Sequence, residues 1–417
     1  MKEKNKNMDR REFIKRAGAT AVALGVFPAI FRVQAQGSPT ADQIIKGKIP
    51  EMIVHNAKLG VMETPLKILR KYEHTPKEIL YIRNHFPVTG AGAWYATTEP
   101  IQDDNWTIRI GGLVGRPAKI TVGELKKMKL VEVPAVLQCS GNGRSFYAKK
   151  AKTPGSQWKH GGMGNVVWRG VPLKDVFEAL AVEFDDAARY LTANGKDRPT
   201  TPKGSDFVHS FPLHDVLSKA ILALEMNGES IPAAHGGPVR LIIPGYYGTM
   251  QIKWLTDIYV TEKETPSKFQ QHAYRVPLYP VEPGEMTPAD FNEFNSRPNW
   301  RMKIKTVIFS PLEGESVKAG TVKVTGVSWN DGLVPVTEVY VSSDRGKSWT
   351  PAKIVKKEGP YAWHFWEAYV VLSTGTREIW ARAVDAWGRG QPLDGLARWN
   401  PKGYEWNGTD KITVKVG

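Results

Sequence analysis

Beyond Lys303 the chain carries several stretches in which apolar and polar residues alternate, a period of two that fits extended strands and not helices. Thr321–Val327, Thr337–Ser342, Ala362–Val371, Glu378–Val384 and Lys411–Val416 all carry this pattern. Ser343-Asp344-Arg345-Gly346-Lys347 has the composition of a hairpin turn between two of them. Short strands at this spacing each have one face to bury, and a β-sandwich of immunoglobulin type is the architecture they predict. Upstream the pattern is mixed. Trp106–Ile110 alternates as a strand, and Thr121-Val122-Gly123-Glu124-Leu125 combines an N-cap with a short helix. Val166–Trp168 followed by Gly170–Leu180 predicts strand, turn and helix, and Val239–Pro244 predicts a buried strand. The fold class expected is therefore α+β.

The start of the chain predicts a targeting segment. Arg10-Arg11 precedes an apolar stretch from Ala17 to Phe31, and Val33-Gln34-Ala35 offers small residues for cleavage. The stretch is short and rich in Ala and Gly, which argues against stable membrane insertion. Residues 1–35 are thus expected to be a twin-arginine signal peptide that hands the folded chain to that export machinery, with a periplasmic destination. Removing 35 of 417 residues leaves 382, too many for one ordinary core. The domain plan expected is an N-terminal arm over 36–75, a mixed domain over 76–265, a proline-rich connector over 266–302 that wraps it, and the all-β domain over 303–417. The formal charge of +15 is +5 in the leader and about +10 in the remainder. That surface suits a small anion or an acidic partner. Nowhere do basic residues interleave with aromatics as a nucleic-acid stripe would require.

One cysteine, Cys139, stands in Leu137-Gln138-Cys139-Ser140-Gly141-Asn142-Gly143-Arg144. A lone thiol in an exported chain makes no intramolecular disulfide. It is either a soft thiolate ligand for a transition metal, favoured by the cation nearby, or a small buried hydrophobe. His-x-x-x-His, Cys-x-x-Cys, phosphate-loop and GxSxG patterns do not occur, which removes the commonest zinc, nucleotide and serine-hydrolase chemistries. What remains is a scatter of polar and basic residues beside glycines and prolines. It comprises Arg83-Asn84-His85, Cys139 with Arg144, Trp158, His235 through Arg240, Lys253-Trp254 and Tyr274.

Taken together these segments resemble the sulfite oxidase family of molybdenum enzymes. The likeness runs through Tyr81–Pro87, Leu137–Asn142, Gly164–Val176, Glu225–Gly228 and His235–Leu255, in the family's order. The resemblance implies a mixed α/β molybdopterin-binding domain followed by the family's dimerisation domain, and so a homodimer. It implies a molybdenum–pyranopterin cofactor ligated by Cys139 and held by His85, His235, Arg240 and Lys253, with hydrogen bonds from Asn84 and near Tyr81 and Gln251. It implies a sulfite pocket of Arg83 and Arg144 with Trp158 as a wall and Tyr274 hydrogen-bonding near the metal. No haem-attachment motif is present, so the expected reaction is oxidation of sulfite to sulfate by oxygen-atom transfer, with electrons passed to a separate c-type cytochrome or similar carrier. Two departures stand out: Gly143 replaces an arginine of vertebrate members, and Lys402 replaces an arginine that approaches the partner subunit's pocket. His160 follows Trp158 closely and is expected to be structural. The alternatives are a sulfane dehydrogenase subunit of a thiosulfate-oxidising system and a non-catalytic periplasmic binding protein in which Cys139 is buried and metal-free.

Overall fold

A computed structural model describes residues 38–417, and the expected leader lies outside them. The arm is compact. It holds a helical turn at Ala41–Ile44, a small antiparallel pair of Ile53–Asn56 with Val61–Glu63, and a second turn at Leu66–Leu69. Two five-stranded sheets follow. In one, Met163–Pro172 lies between Val131–Gln138 and Ile221–Met226, and the latter also pairs with Arg240–Ile242. In the other, Leu255–Thr261 runs parallel to Thr107–Gly112 and antiparallel to Tyr190–Gly195. A buried apolar cluster that includes Ile108, Ile110, Leu191, Leu222, Leu241 and Ile258 fills the space among these elements.

Local chemistry sets the boundaries. Thr121 Oγ1 accepts the Glu124 amide at 3.2 Å while Glu124 Oε2 accepts the Thr121 amide at 2.7 Å, a reciprocal cap for Val122–Leu125. The strand begun at Met163 does not turn at Gly170 as expected. It continues to Pro172 through a register shift between Arg169 and Gly170, where a side chain at Gly170 would strike the Leu222 carbonyl. Helix Leu173–Ala179 then buries Leu173, Val176 and Phe177 on one stripe. Asn227 and Gly228 both take positive φ, 51° and 82°, and turn Ile221–Met226 back onto Glu229–Ser230.

The connector is less extended than its prolines imply. It contains a π-helical turn at Phe269–Ala273 and a short antiparallel pair of Arg275–Pro277 with Ser296–Pro298. Arg275 is buried there, donating to Glu264 at 3.1 Å and to the Ser296 carbonyl at 2.9 Å.

The last domain is two stacked sheets. One has Gly320–Trp329 and His364–Leu372 at its centre; the other has Asp410–Val416, Gly375–Asp385 and Val336–Ser342. Their inner faces share one core that includes Ile308, Val324, Val341, Trp366, Ile379, Ala381 and Val414. The turn at 343–347 leads from Val336–Ser342 into a two-residue strand, Thr350–Pro351, too short to show in the alternation. No helix among the described residues is long and apolar enough to cross a membrane.

Candidate active site

Cys139 sits where the strand Val131–Gln138 ends, and a tight loop turns away after it. The Cys139 amide donates to the Gly162 carbonyl at 2.8 Å, and the Asn142 amide donates back to the Cys139 carbonyl at 3.0 Å. Asn142 Oδ1 accepts the Gly162 amide at 3.2 Å and closes the loop on the neighbouring segment. The sandwich domain also grips this loop. Lys305 Nζ donates to the Asn142 carbonyl at 3.2 Å, and the Glu405 amide donates to the Ser140 carbonyl at 3.1 Å. Gly143 has φ of +95°, and any side chain there would overlap the Trp406 ring. That packing explains why a large residue is absent at 143.

Cys139 opens onto a partly enclosed cavity. Three segments complete its wall: Tyr81–His85, Ala234 to Arg240, and Gly248 to Trp254. Of the residues singled out from sequence, Tyr81, Arg83, Asn84, His85, Cys139, His235, Arg240, Gln251 and Lys253 all line it. These residues span 173 positions of chain (81 to 253) and meet at one cavity.

One end of the cavity is strongly basic. Lys253 Nζ donates to Asn84 Oδ1 and, at 3.2 Å, to the Ala234 carbonyl. Burial holds its ammonium well below the usual range, and Arg240 adds to the effect. Burial likewise lowers Arg240 to about 10. Arg240 Nη1 donates to the His235 carbonyl at 2.8 Å. Packing these cations together without carboxylate pairs costs free energy unless an anion completes the site. Two neighbours escaped the sequence reading. Asp197 lines the cavity with its carboxyl raised to about 6, chiefly by burial, with Lys253 pulling against it. Lys48, from the arm, puts Nζ 3.0 Å from His235 Nε2 and 2.6 Å from the Leu80 carbonyl. Neither lies in a recognisable motif, and only the fold brings them in.

The other end surrounds the thiol. Arg83 lines the cavity, and its Nη1 is buried without a hydrogen-bond partner. Arg144 is 7% exposed and donates through Nε to the Lys402 carbonyl at 3.0 Å and through Nη1 to the Ser156 carbonyl at 2.9 Å. Among the described residues no carboxylate pairs with either guanidinium. Burial pushes the Cys139 thiol up, while Arg83, the Gly141 amide and Arg144 pull it back toward the thiolate. Tyr274 O–H lies 2.6 Å from His85 Nε2. Burial, with the Arg83 charge adding to it, holds that imidazole well below its usual range, and its tautomer sets which of the two groups donates. Trp158 is fully buried behind the cavity, edge-on to Tyr81 at 5.8 Å and 4.8 Å from His55.

Two other positions are settled by contacts. His160 does not line the cavity; its Nε2 meets Asp410 Oδ1 at 3.0 Å and its ring lies on Phe146, so it ties the loop to the final strand. Lys402 stands beside this chain's own Arg144 and Lys268, and Arg144 lies over the ring of Tyr404 at 5.2 Å. Among the described residues no three His, Cys, Asp or Glu side chains cluster as a metal cage.

Comparison with known proteins gives the family. Residues 95–269 match the model of the oxidoreductase molybdopterin binding domain, and residues 296–416 match the Mo-co oxidoreductase dimerisation domain. The mitochondrial sulfite oxidase of Drosophila melanogaster is 31% identical over 372 residues, which cover 85% of this chain and 61% of that protein. The sulfite oxidase of Gallus gallus is 30% identical over 386 residues, covering 89% of this chain and 80% of the relative. Among solved structures, the sulfane dehydrogenase SoxCD from Paracoccus pantotrophus superposes with a TM-score of 0.70 at 25% identity and covers 94% of both chains.

Proposed function

The chain belongs to the sulfite oxidase family of molybdopterin-binding oxidoreductases, and on that premise we propose that it oxidises sulfite to sulfate and passes the electrons singly to a separate carrier such as a c-type cytochrome. The observation that carries the substrate is a pair of guanidiniums that no carboxylate pairs with among the described residues, Arg83 lining the cavity and Arg144 over the Tyr404 ring, both drawing the Cys139 thiol toward the thiolate. A buried Arg Nη1 with no partner is costly, and a small oxyanion accepting from it removes the cost.

The residues fit the cofactor. Gln251 Oε1, like Arg83 Nη1, is buried and unpartnered at the cavity, and both are satisfied when a polar group fills it. Cys139 is the one thiol of the chain and would be the protein's soft ligand. His235, Arg240 and Lys253 would hold the phosphate of the pyranopterin, with Asn84 fixing Lys253. The molybdenum centre supplies the two-electron redox chemistry. The protein binds and orients. Arg83 and Arg144 would hold the oxyanion, in surroundings of low dielectric that strengthen both contacts. Tyr274 links this end to His85 through one short hydrogen bond.

Export through the twin-arginine route, on the strength of Arg10-Arg11, would put the reaction in the periplasm, and the dimerisation domain supports a homodimer. A second reading, oxidation of a protein-bound sulfane, is favoured by the superposition with the sulfane dehydrogenase. The test is cytochrome c reduction by the purified holoenzyme with free sulfite and with a persulfide-bearing protein as rival donors. Saturable turnover of sulfite is the expected result; turnover of the carrier-bound sulfane alone would reverse the assignment.

A further inference from the structure

The segment Asn400–Trp406 is an unusual piece of chain, and it reaches the pocket from the last domain. Asn400 closes it as a turn: Oδ1 accepts the Tyr404 amide at 3.1 Å, and Nδ2 donates to the Tyr404 carbonyl at 2.9 Å. Tyr147 O–H donates to the same carbonyl at 3.2 Å. The next residue, Glu405, is held at φ of +59°, a conformation that costs a non-glycine residue free energy. Its carboxylate anchors it through Arg297, at 3.0 and 2.7 Å, and through Asn299 Nδ2 at 2.7 Å. So much fixation of one segment fixes one side chain in particular.

That side chain is Tyr404, 7% exposed. Its ring stacks flat on Tyr274, with centroids 5.3 Å apart and planes 6° from parallel. The guanidinium of Arg144 lies over the same ring at 5.2 Å. Arg144 needs such a platform. Side chains at Gly141, Gly155 or Gly403 would each overlap it, so glycines rather than packing groups surround it, and two backbone carbonyls are its hydrogen-bond partners.

Resting on the anion-pocket reading above, we propose that Tyr404 is a positioning residue for oxyanion binding, its aromatic face holding Arg144 and Tyr274 in register beside Cys139. The ring does this work, and the hydroxyl does not. Phenylalanine therefore keeps the function, and an aliphatic residue of similar bulk loses it.

The experiment is equilibrium binding of sulfate, the product anion, to purified holoenzyme by calorimetry. Thermal unfolding checks that each variant is folded. Tyr404→Phe should bind within about twofold of the parent, whereas Tyr404→Leu and Tyr404→Met should bind about tenfold more weakly. The KM for sulfite should rise by the same factor while kcat changes less. Leu and Met variants that bind sulfate like the parent, when Arg144→Gln does not, would overturn the proposal. A Phe variant as weak as Leu would overturn it too, by moving the role to the hydroxyl. If the parent and Arg144→Gln both ignore sulfate, the anion-pocket reading fails first and this inference falls with it.

Discussion

Arg83 concentrates the chemistry at the scale of the residue. Its Nη1 is buried without a protein partner among the described residues, which leaves it available to the anion proposed above. Arg83→Gln keeps a polar side chain, shortens it and removes the charge. It should raise the KM for sulfite about tenfold or more, the worth of one charge-assisted hydrogen bond, while the unfolding midpoint stays near the parent's. A midpoint that falls with the activity would make Arg83 structural. Lys305 behaves differently. Burial lowers its ammonium to about 7 from 10.5, with Asp410 opposing, although it grips the carbonyl of Asn142. Between about pH 7 and 10.5 the unfolded chain keeps a proton that the folded chain has released. Stability should therefore rise with pH through that window, by at most about 1.4 kcal/mol per pH unit, with the full cost present below it. Urea unfolding of Lys305→Met against the parent checks this: the advantage of the variant should shrink from pH 7 to 10, and a constant difference would contradict it. Arg83, Cys139, His235 and Lys253 could be picked out in the sequence because each stands in a segment with a family resemblance, and the fold brings all four to one cavity. Lys48, Asp197 and Tyr404 could not. Their roles depend on neighbours 187, 56 and 130 positions away (His235, Lys253 and Tyr274), and no local pattern encodes those distances.

At the scale of the element, the pocket depends on how a few chain segments end. The strand before Cys139 is tied to the sandwich by Trp329 Nε1 donating to Gln138 Oε1 at 2.8 Å, and the loop after it by Glu405 and Lys305. The turn at Asn400–Tyr404 is the weakest point that can be tested alone. Asn400→Ala removes two buried hydrogen bonds and should cost about 1–3 kcal/mol, read by urea unfolding. It should also raise the sulfite KM, since Tyr404 moves with the turn; an unchanged KM in a destabilised variant would separate the turn from the pocket. The long strands of the last domain were legible from their alternation because one face of each is buried and the other wet. The strand through Gly170 and the pairing of Arg275–Pro277 with Ser296–Pro298 were not. A close backbone approach and a buried arginine held them, and neither has a period.

For the molecule as a whole, the two domains share one site. Tyr404, Glu405, Lys305 and Trp406 belong to the sandwich domain and contact the Cys139 loop or the residues around it, so this domain helps to build the pocket. A chain cut after residue 302 should lose molybdenum and expose apolar surface, seen as dye binding and loss of the unfolding transition; a truncated chain that kept both metal and turnover would refute the shared site. The basic surface, with a formal charge near +10 beyond the expected leader, should make electron delivery to an acidic carrier slow as ionic strength rises. The proposal that the cavity beside Cys139 holds a molybdenum cofactor that oxidises sulfite is open to a single experiment. Molybdenum is counted in purified protein, and sulfite-dependent reduction of cytochrome c is followed on the same sample, with Cys139→Ser prepared in parallel. About one molybdenum per chain with sulfite-dependent reduction is expected, the reduction being lost in Cys139→Ser. Full molybdenum occupancy with no response to sulfite, or turnover that survives the loss of the thiol, would contradict it.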